Sequence, residues 1–130
     1  MAKVSKQQLI ETAARARRLA VAPYSKFRVG AALLTREGEI VTGANVESAS
    51  FGLSCCAERV VLFNAMSNGH RNFMALAVVA RGVTMPCGAC RQLLAEYAPR
   101  ARVFVADSKA LNRIREFTVS DLLPAAFLHM

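Results

Sequence analysis

Apolar residues recur at helical spacing near the start of the chain, where Leu9, Ala13, Ala16 and Ala20, flanked by Ile10 and Ala14, line one face. Ser5 followed by Gln8 supplies a capping box ahead of them, and Pro23 is expected to stop the helix. Residues 28–35 and 39–46 then read as strands joined through Glu37-Gly38, which predicts a hairpin. From Cys56 to about Ser67 the pattern is apolar almost all round, through Val60, Val61, Leu62, Phe63 and Met66, so this second helix is expected in the interior. Asn68-Gly69 ends it. Residues 73–80 form a short apolar strand, expected to be buried on both faces. A third helix follows Pro86 and runs past Leu93, Leu94 and Tyr97 to Pro99; strands at 102–106 and 114–119 follow, and Ser120-Asp121 opens a short last helix.

The order is helix, two strands, helix, strand, helix, two strands, short helix. Strands separated by helices imply crossovers and a largely parallel half-sheet, which the leading hairpin turns into a mixed one. Residues 1–130 are read as one domain, long enough to bury a core without disulfides.

Composition narrows the classes. A hydrophobic fraction of 54% and a mean hydropathy of +0.28 are high for a soluble monomer of this size. No apolar run approaches the roughly 18 residues of a spanning helix, so no membrane partner is expected. The surplus is read as an oligomer interface, with a generous core as the alternative. The formal charge of +8 invites a nucleic-acid reading, but the basic residues are scattered through Arg15, Arg17, Arg18, Arg100, Arg102, Arg113 and Arg115. No aromatic residues interleave with them, so a solvated basic surface is expected and no nucleic-acid polymer. The first residues, Met1 to Gln7, hold no apolar signal region, which predicts a cytoplasmic protein. Four cysteines in that compartment are ligands or buried thiols sooner than disulfides.

Three of them carry chemistry. Cys56-Ala57-Glu58 and Pro86-Cys87-Gly88-Ala89-Cys90 offer three thiolates to one zinc ion and leave a position open for water, as catalytic rather than structural sites do. Cys56 and the Cys87/Cys90 pair each fall at the start of a helix, where the dipole and free N–H groups favour thiolate. Three thiolates leave Zn²⁺ with a net negative site, so Arg59 and Arg91 are expected to donate hydrogen bonds to the sulfurs. Glu58 stands within reach of the open position, and burial would raise its pKa toward neutrality. A closed four-cysteine site including Cys55 is the rival reading. Adjacent residues on a helix point roughly 100° apart, so Cys55 is expected to be a buried thiol outside the cluster.

Ligand-x-Glu followed by Pro-Cys-x-x-Cys is the general zinc-deaminase signature. The chain resembles the cytidine deaminase family in its short, three-cysteine form, through Ala22-Pro23-Tyr24-Ser25-Lys26-Phe27, Val29-Gly30-Ala31-Ala32, Asn45-Val46-Glu47, Cys56-Ala57-Glu58-Arg59, Pro86 to Gln92 and Leu122 to Phe127. The resemblance implies a three-layer α/β/α fold with a five-stranded mixed sheet, one Zn²⁺ per subunit, and a homotetramer whose active sites borrow residues from neighbours. It implies that Asn45 and Glu47 hold the ribose 3′-hydroxyl and that Phe27 walls the base pocket. Phe127 would come from another subunit, and the Ala57 backbone would meet the amide edge of the base. By alternation Asn45 and Glu47 share one face, where an amide and a carboxylate suit a diol; a polar loop is the equal alternative.

The implied reaction is hydrolytic deamination of cytidine and deoxycytidine, with Glu58 as base and then acid and no organic cofactor. A modified cytosine nucleoside such as blasticidin S, cytosine within a polymer, and a non-enzymatic zinc module are the alternatives. Phe51, where many relatives have tyrosine, and Met85, Ala44 and Cys55 depart from the family pattern close to the motifs.

Overall fold

The computed structural model describes residues 3–128, with the side chain of Phe51 left aside. The Ser5 hydroxyl accepts from the Gln8 backbone N–H at 3.1 Å, and the Gln8 side chain accepts from the Ser5 N–H at 2.8 Å. This reciprocal cap opens helix α1, Lys6–Ala16, which buries Leu9, Ile10, Ala13 and Ala16. Ser5→Ala is expected to cost about 1 kcal/mol, seen as a lower denaturation midpoint. The helix ends before Pro23 acts on it. Arg17–Leu19 tighten into a 3-10 turn and Ala20 is already extended. The Arg17 guanidinium donates to the Arg28 carbonyl at 2.9 Å, tying the end of the helix to the segment that enters the sheet.

Strands β1 (Val29–Thr35) and β2 (Ile40–Ala44) form the expected hairpin, with Gly30 opposite Ala44 and Leu34 opposite Ile40. Strand β3 (Phe73–Ala80) lies antiparallel to β1 and parallel to β4 (Arg102–Asp107), and β5 (Arg115–Thr118) closes the far edge antiparallel to β4. The order is β2-β1-β3-β4-β5. The sheet is mixed as expected, but the largely parallel half-sheet is corrected: β3–β4 is the one parallel pair among the described strands. The crossover from β2 to β3 does join strands running the same way, but β1 lies between them.

Alternate strand residues feed two layers. Ala32, Ala75, Ala77, Val79 and Ala106 pack under α1, while Ala31, Leu33, Leu76, Val78, Val103 and Val105 pack under three other helices. These are α2 (Ala57–Ser67), α3 (Gly88–Tyr97) and α4 (Val119–Leu122). The α/β/α layering is thus in place. Helix α2 differs from its expectation, because it buries Val61, Leu62 and Ala65 but leaves Phe63 47% exposed. It stops where expected. The Gly69 N–H donates to Met66 and the His70 N–H to Ala65, a closure that requires the left-handed φ of 94° at Gly69. The last helix is capped by Thr118, not opened at Ser120: the Thr118 hydroxyl accepts from the Asp121 N–H at 3.1 Å. Among the described residues no helix is long and apolar enough to cross a membrane.

Candidate active site

The N-termini of α2 and α3 meet at one end of the sheet. Cys56 and Cys87 are the N-cap residues of these helices, both with extended backbone and neither using its side chain as a cap. Their sulfurs are therefore available to each other. Cys56 Sγ lies 3.8 Å from Cys87 Sγ, which lies 3.3 Å from Cys90 Sγ, and all three fall within 4.8 Å of one another. Cys90 sits in the first turn of α3 and is buried. The Cys56 thiol is drawn down to about 5 by hydrogen bonding from Cys90 first, then from Cys87 and Arg59, against the opposing effect of burial. Cys90 is pushed the other way, by its hydrogen bond with Cys56 first and then by burial.

Glu58 occupies the first turn of α2 and is 7% exposed. Burial raises its carboxyl to about 7, and the neighbouring Cys56 charge adds to the shift. Arg59 donates to Cys56 Sγ at 3.8 Å and to the Ser54 carbonyl at 3.1 Å, while its buried Nε has no partner among the described residues. Arg91 corrects its expectation. Its Nε donates to the Pro86 carbonyl at 2.8 Å and its Nη1 to the Leu122 carbonyl at 2.9 Å, so it braces the turn before Cys87 instead of bonding a sulfur. Cys55 stays outside the cluster, half-buried, its thiol raised by burial and its backbone paired with Val46.

A cavity of about 370 Å³ opens in front of these groups, lined by Phe27, Asn45, Glu47, Cys56, Ala57 and Glu58 among others. The Asn45 amide is anchored: its Oδ1 accepts from the Val29 N–H at 2.9 Å and its Nδ2 donates to the Phe27 carbonyl at 2.8 Å. One N–H of that amide remains for a ligand. Glu47 accepts from the backbone N–H groups of Tyr24 and Ser25, each at 3.1 Å, and from the Ser25 hydroxyl. These bonds, the hydroxyl first, hold its carboxyl below its ordinary value. Phe127 is 75% exposed and is not among the lining residues of its own chain's cavity. The side chain of Phe51 lies outside the described residues.

Sequence reasoning gave no role to Ser25 or Thr84, both of which line the cavity. For Ser25 a signal was present, since a serine two residues before Phe27 suits a turn in which its hydroxyl accepts the Phe27 N–H, as it does at 3.0 Å. Nothing in sequence marks Thr84, which lies in the irregular stretch between β3 and α3.

Sulfurs held ~2.3 Å from a tetrahedral zinc stand roughly 3.8 Å apart. The observed separations of 3.3 and 3.8 Å fit that requirement, and three thiols with one buried carboxylate beside them match a catalytic donor set. An α/β/α sandwich with such a cluster at two helix starts defines a zinc-dependent hydrolase. The chain belongs to the family described as the cytidine and deoxycytidylate deaminase zinc-binding region, whose model matches residues 3–106. It is 49% identical over 127 residues to a cytidine deaminase of Halalkalibacterium halodurans, covering 95% of each chain. A crystal structure of cytidine deaminase from Burkholderia pseudomallei superposes with a TM-score of 0.90 at 46% identity, covering 95% of this chain and 99% of that one. A blasticidin-S deaminase of Bacillus cereus is more distant, 29% identical over 113 residues and 79% of each chain.

The zinc set makes a direct prediction. Cys90→Ala is expected to weaken zinc binding by about 100-fold or more, read as lost metal content and a lower melting temperature in the same sample.

Proposed function

We propose that this chain is a cytidine deaminase that converts cytidine and deoxycytidine to uridine and deoxyuridine with release of ammonia. One observation carries the reading: Glu58 is buried beside the three-cysteine cluster and lines the same cavity as Phe27. Cys56, Cys87 and Cys90 would hold the zinc, whose Lewis acidity would make a water acidic near neutrality. Glu58 takes a proton from the attacking water as the water oxygen bonds to C4 of the base. The same carboxyl delivers that proton to N3, then takes the proton left on the new C4 hydroxyl and passes it to the departing amino group, so C4=O forms, the exocyclic C–N bond breaks and ammonia leaves. A carboxyl held at about 7 suits both directions of transfer.

Phe27 presents a face for the base, and Ala57, the first residue of α2, offers backbone to its amide edge. Arg59 offsets the charge of the thiolates. Asn45 and Glu47, which line the same cavity, offer an amide and a carboxylate to the sugar. Enclosing a sugar hydroxyl excludes a continuing strand, which argues against a polymer substrate. Exposed Phe127, Leu53 and Leu19 support a homotetramer in which Phe127 completes a neighbour's pocket. Residues 1–130 are read as a single deaminase domain working in the cytoplasm, where its thiols stay reduced.

The test is the fall in ultraviolet absorbance when pure protein meets cytidine, with zinc measured on the same sample. Rates on cytidine, deoxycytidine and blasticidin S decide the substrate, and a kcat/KM on cytidine orders of magnitude below that on the antibiotic would reverse the assignment. No turnover by zinc-loaded protein would favour a binding module. Glu47→Ala is expected to raise the KM for cytidine by about 10- to 100-fold, with a smaller change in kcat.

A further inference from the structure

The Ser25 hydroxyl joins two cavity walls that come from different parts of the chain. It donates to Glu47 Oε2 and accepts from the Phe27 backbone N–H at 3.0 Å. Between the two residues Lys26 holds a left-handed φ of 62°, a conformation that costs energy for a side chain of its kind. Such a turn persists only where its surroundings hold it, and the hydroxyl spans it. Ser25, Phe27 and Glu47 all line the cavity that also contains Cys56 and Glu58.

Lone-pair accounting shows what the strap does to the carboxylate. An ionised carboxylate has about four acceptor sites, two on each oxygen. Glu47 Oε1 accepts from the N–H groups of Tyr24 and Ser25, each at 3.1 Å, so it is fully engaged. Oε2 accepts from the Ser25 hydroxyl, and one site is left. Glu47 therefore offers one acceptor to one hydroxyl and does not grip a diol with both oxygens, as its residue type alone suggests.

We infer that Ser25 is a positioning residue that makes Glu47 a single-hydroxyl acceptor and fixes its distance from the Phe27 wall. This inference rests on the nucleoside reading given above and deepens it. A substrate with a base at the zinc end and one hydroxyl at the Glu47 end fits both walls at once. Without the strap, the carboxylate loses its aim relative to the Phe27 wall, and its grip on the sugar hydroxyl weakens while the proton chemistry at Glu58 is untouched.

The experiment uses the zinc-loaded full chain with cytidine, deoxycytidine and 2′,3′-dideoxycytidine, which lacks the sugar-ring hydroxyls. Ser25→Ala is expected to raise KM for cytidine and deoxycytidine by about tenfold, the scale of one hydrogen bond to a charged group, with kcat within about threefold. On the dideoxy substrate Ser25→Ala and wild type are expected to agree within about twofold, because no hydroxyl reaches Glu47. Ser25→Thr keeps the hydroxyl and is expected to restore wild-type KM, and adding Ser25→Ala to Glu47→Ala is expected to cost nothing further. Ser25→Cys, a weak donor of similar size, gives the same discrimination if Ser25→Ala does not fold. Equal losses on all three substrates, or none on cytidine, would overturn the inference while leaving the deaminase reading intact. A wild type inert to all three overturns both.

Discussion

Glu58→Gln is expected to lower cytidine turnover by about 10⁴-fold while zinc content and melting temperature stay at wild-type levels. The amide has the shape of the carboxyl but can neither accept nor deliver a proton under these conditions. Both protons of the attacking water are relayed through this one group, so their loss is not spread over other residues. Stability is spared for a separate reason. Burial already works against the charged form and lifts the carboxyl to about 7, so a neutral side chain relieves that strain. The measurement pairs steady-state kinetics with metal analysis and thermal melting. Activity within about tenfold of wild type would remove Glu58 from the mechanism.

Gly30→Ala is expected to destabilise the fold by about 3 kcal/mol or more, at the upper end of overpacking costs. A Cβ at this position would stand 2.1 Å from the Ala13 carbonyl oxygen, 2.5 Å from the Arg17 nitrogen and 2.8 Å from the Arg17 Cα. All three are backbone atoms, so no side chain can rotate away. Helix α1 must instead lift from the sheet, opening the contact of Ala13 with Ala32, Ala77 and Val79. Against a typical total of about 5–15 kcal/mol, such a loss is large. Gly52→Ala is the control, since its Cβ would meet nothing within 4 Å. Chemical denaturation compares the two variants, and equal midpoints would show that α1 does not approach β1 this closely.

The sequence was most legible where the signal is local. The Ser5–Gln8 cap, the Asn68-Gly69 stop and the Glu37-Gly38 hairpin each depend on a few consecutive residues, and each stands in the structure. Legibility failed where partners are distant in the chain. Insertion of β1 between β2 and β3 leaves no trace in either strand's pattern, and so the parallel share was overstated. Likewise, the apolar residues around α2 do not say which of them meets the sheet, and Phe63 turns outward. Arg91 follows its motif just as Arg59 does, yet Arg59 donates to a sulfur while Arg91 donates to the Pro86 and Leu122 carbonyls.

For the site, the sequence by itself determined the donors. Three cysteines at two helix starts and a glutamate two residues after the first of them set the metal chemistry, because ligand type and spacing are properties of the chain. Only the tertiary structure decided how those groups behave. Bringing the starts of α2 and α3 together set the sulfurs within 4.8 Å and buried Glu58 enough to move its pKa. It also folded Tyr24-Ser25 against Glu47, leaving that carboxylate one acceptor site. Burial and hydrogen-bond direction depend on neighbours from elsewhere in the chain, and those neighbours exist only once the sheet has ordered its strands.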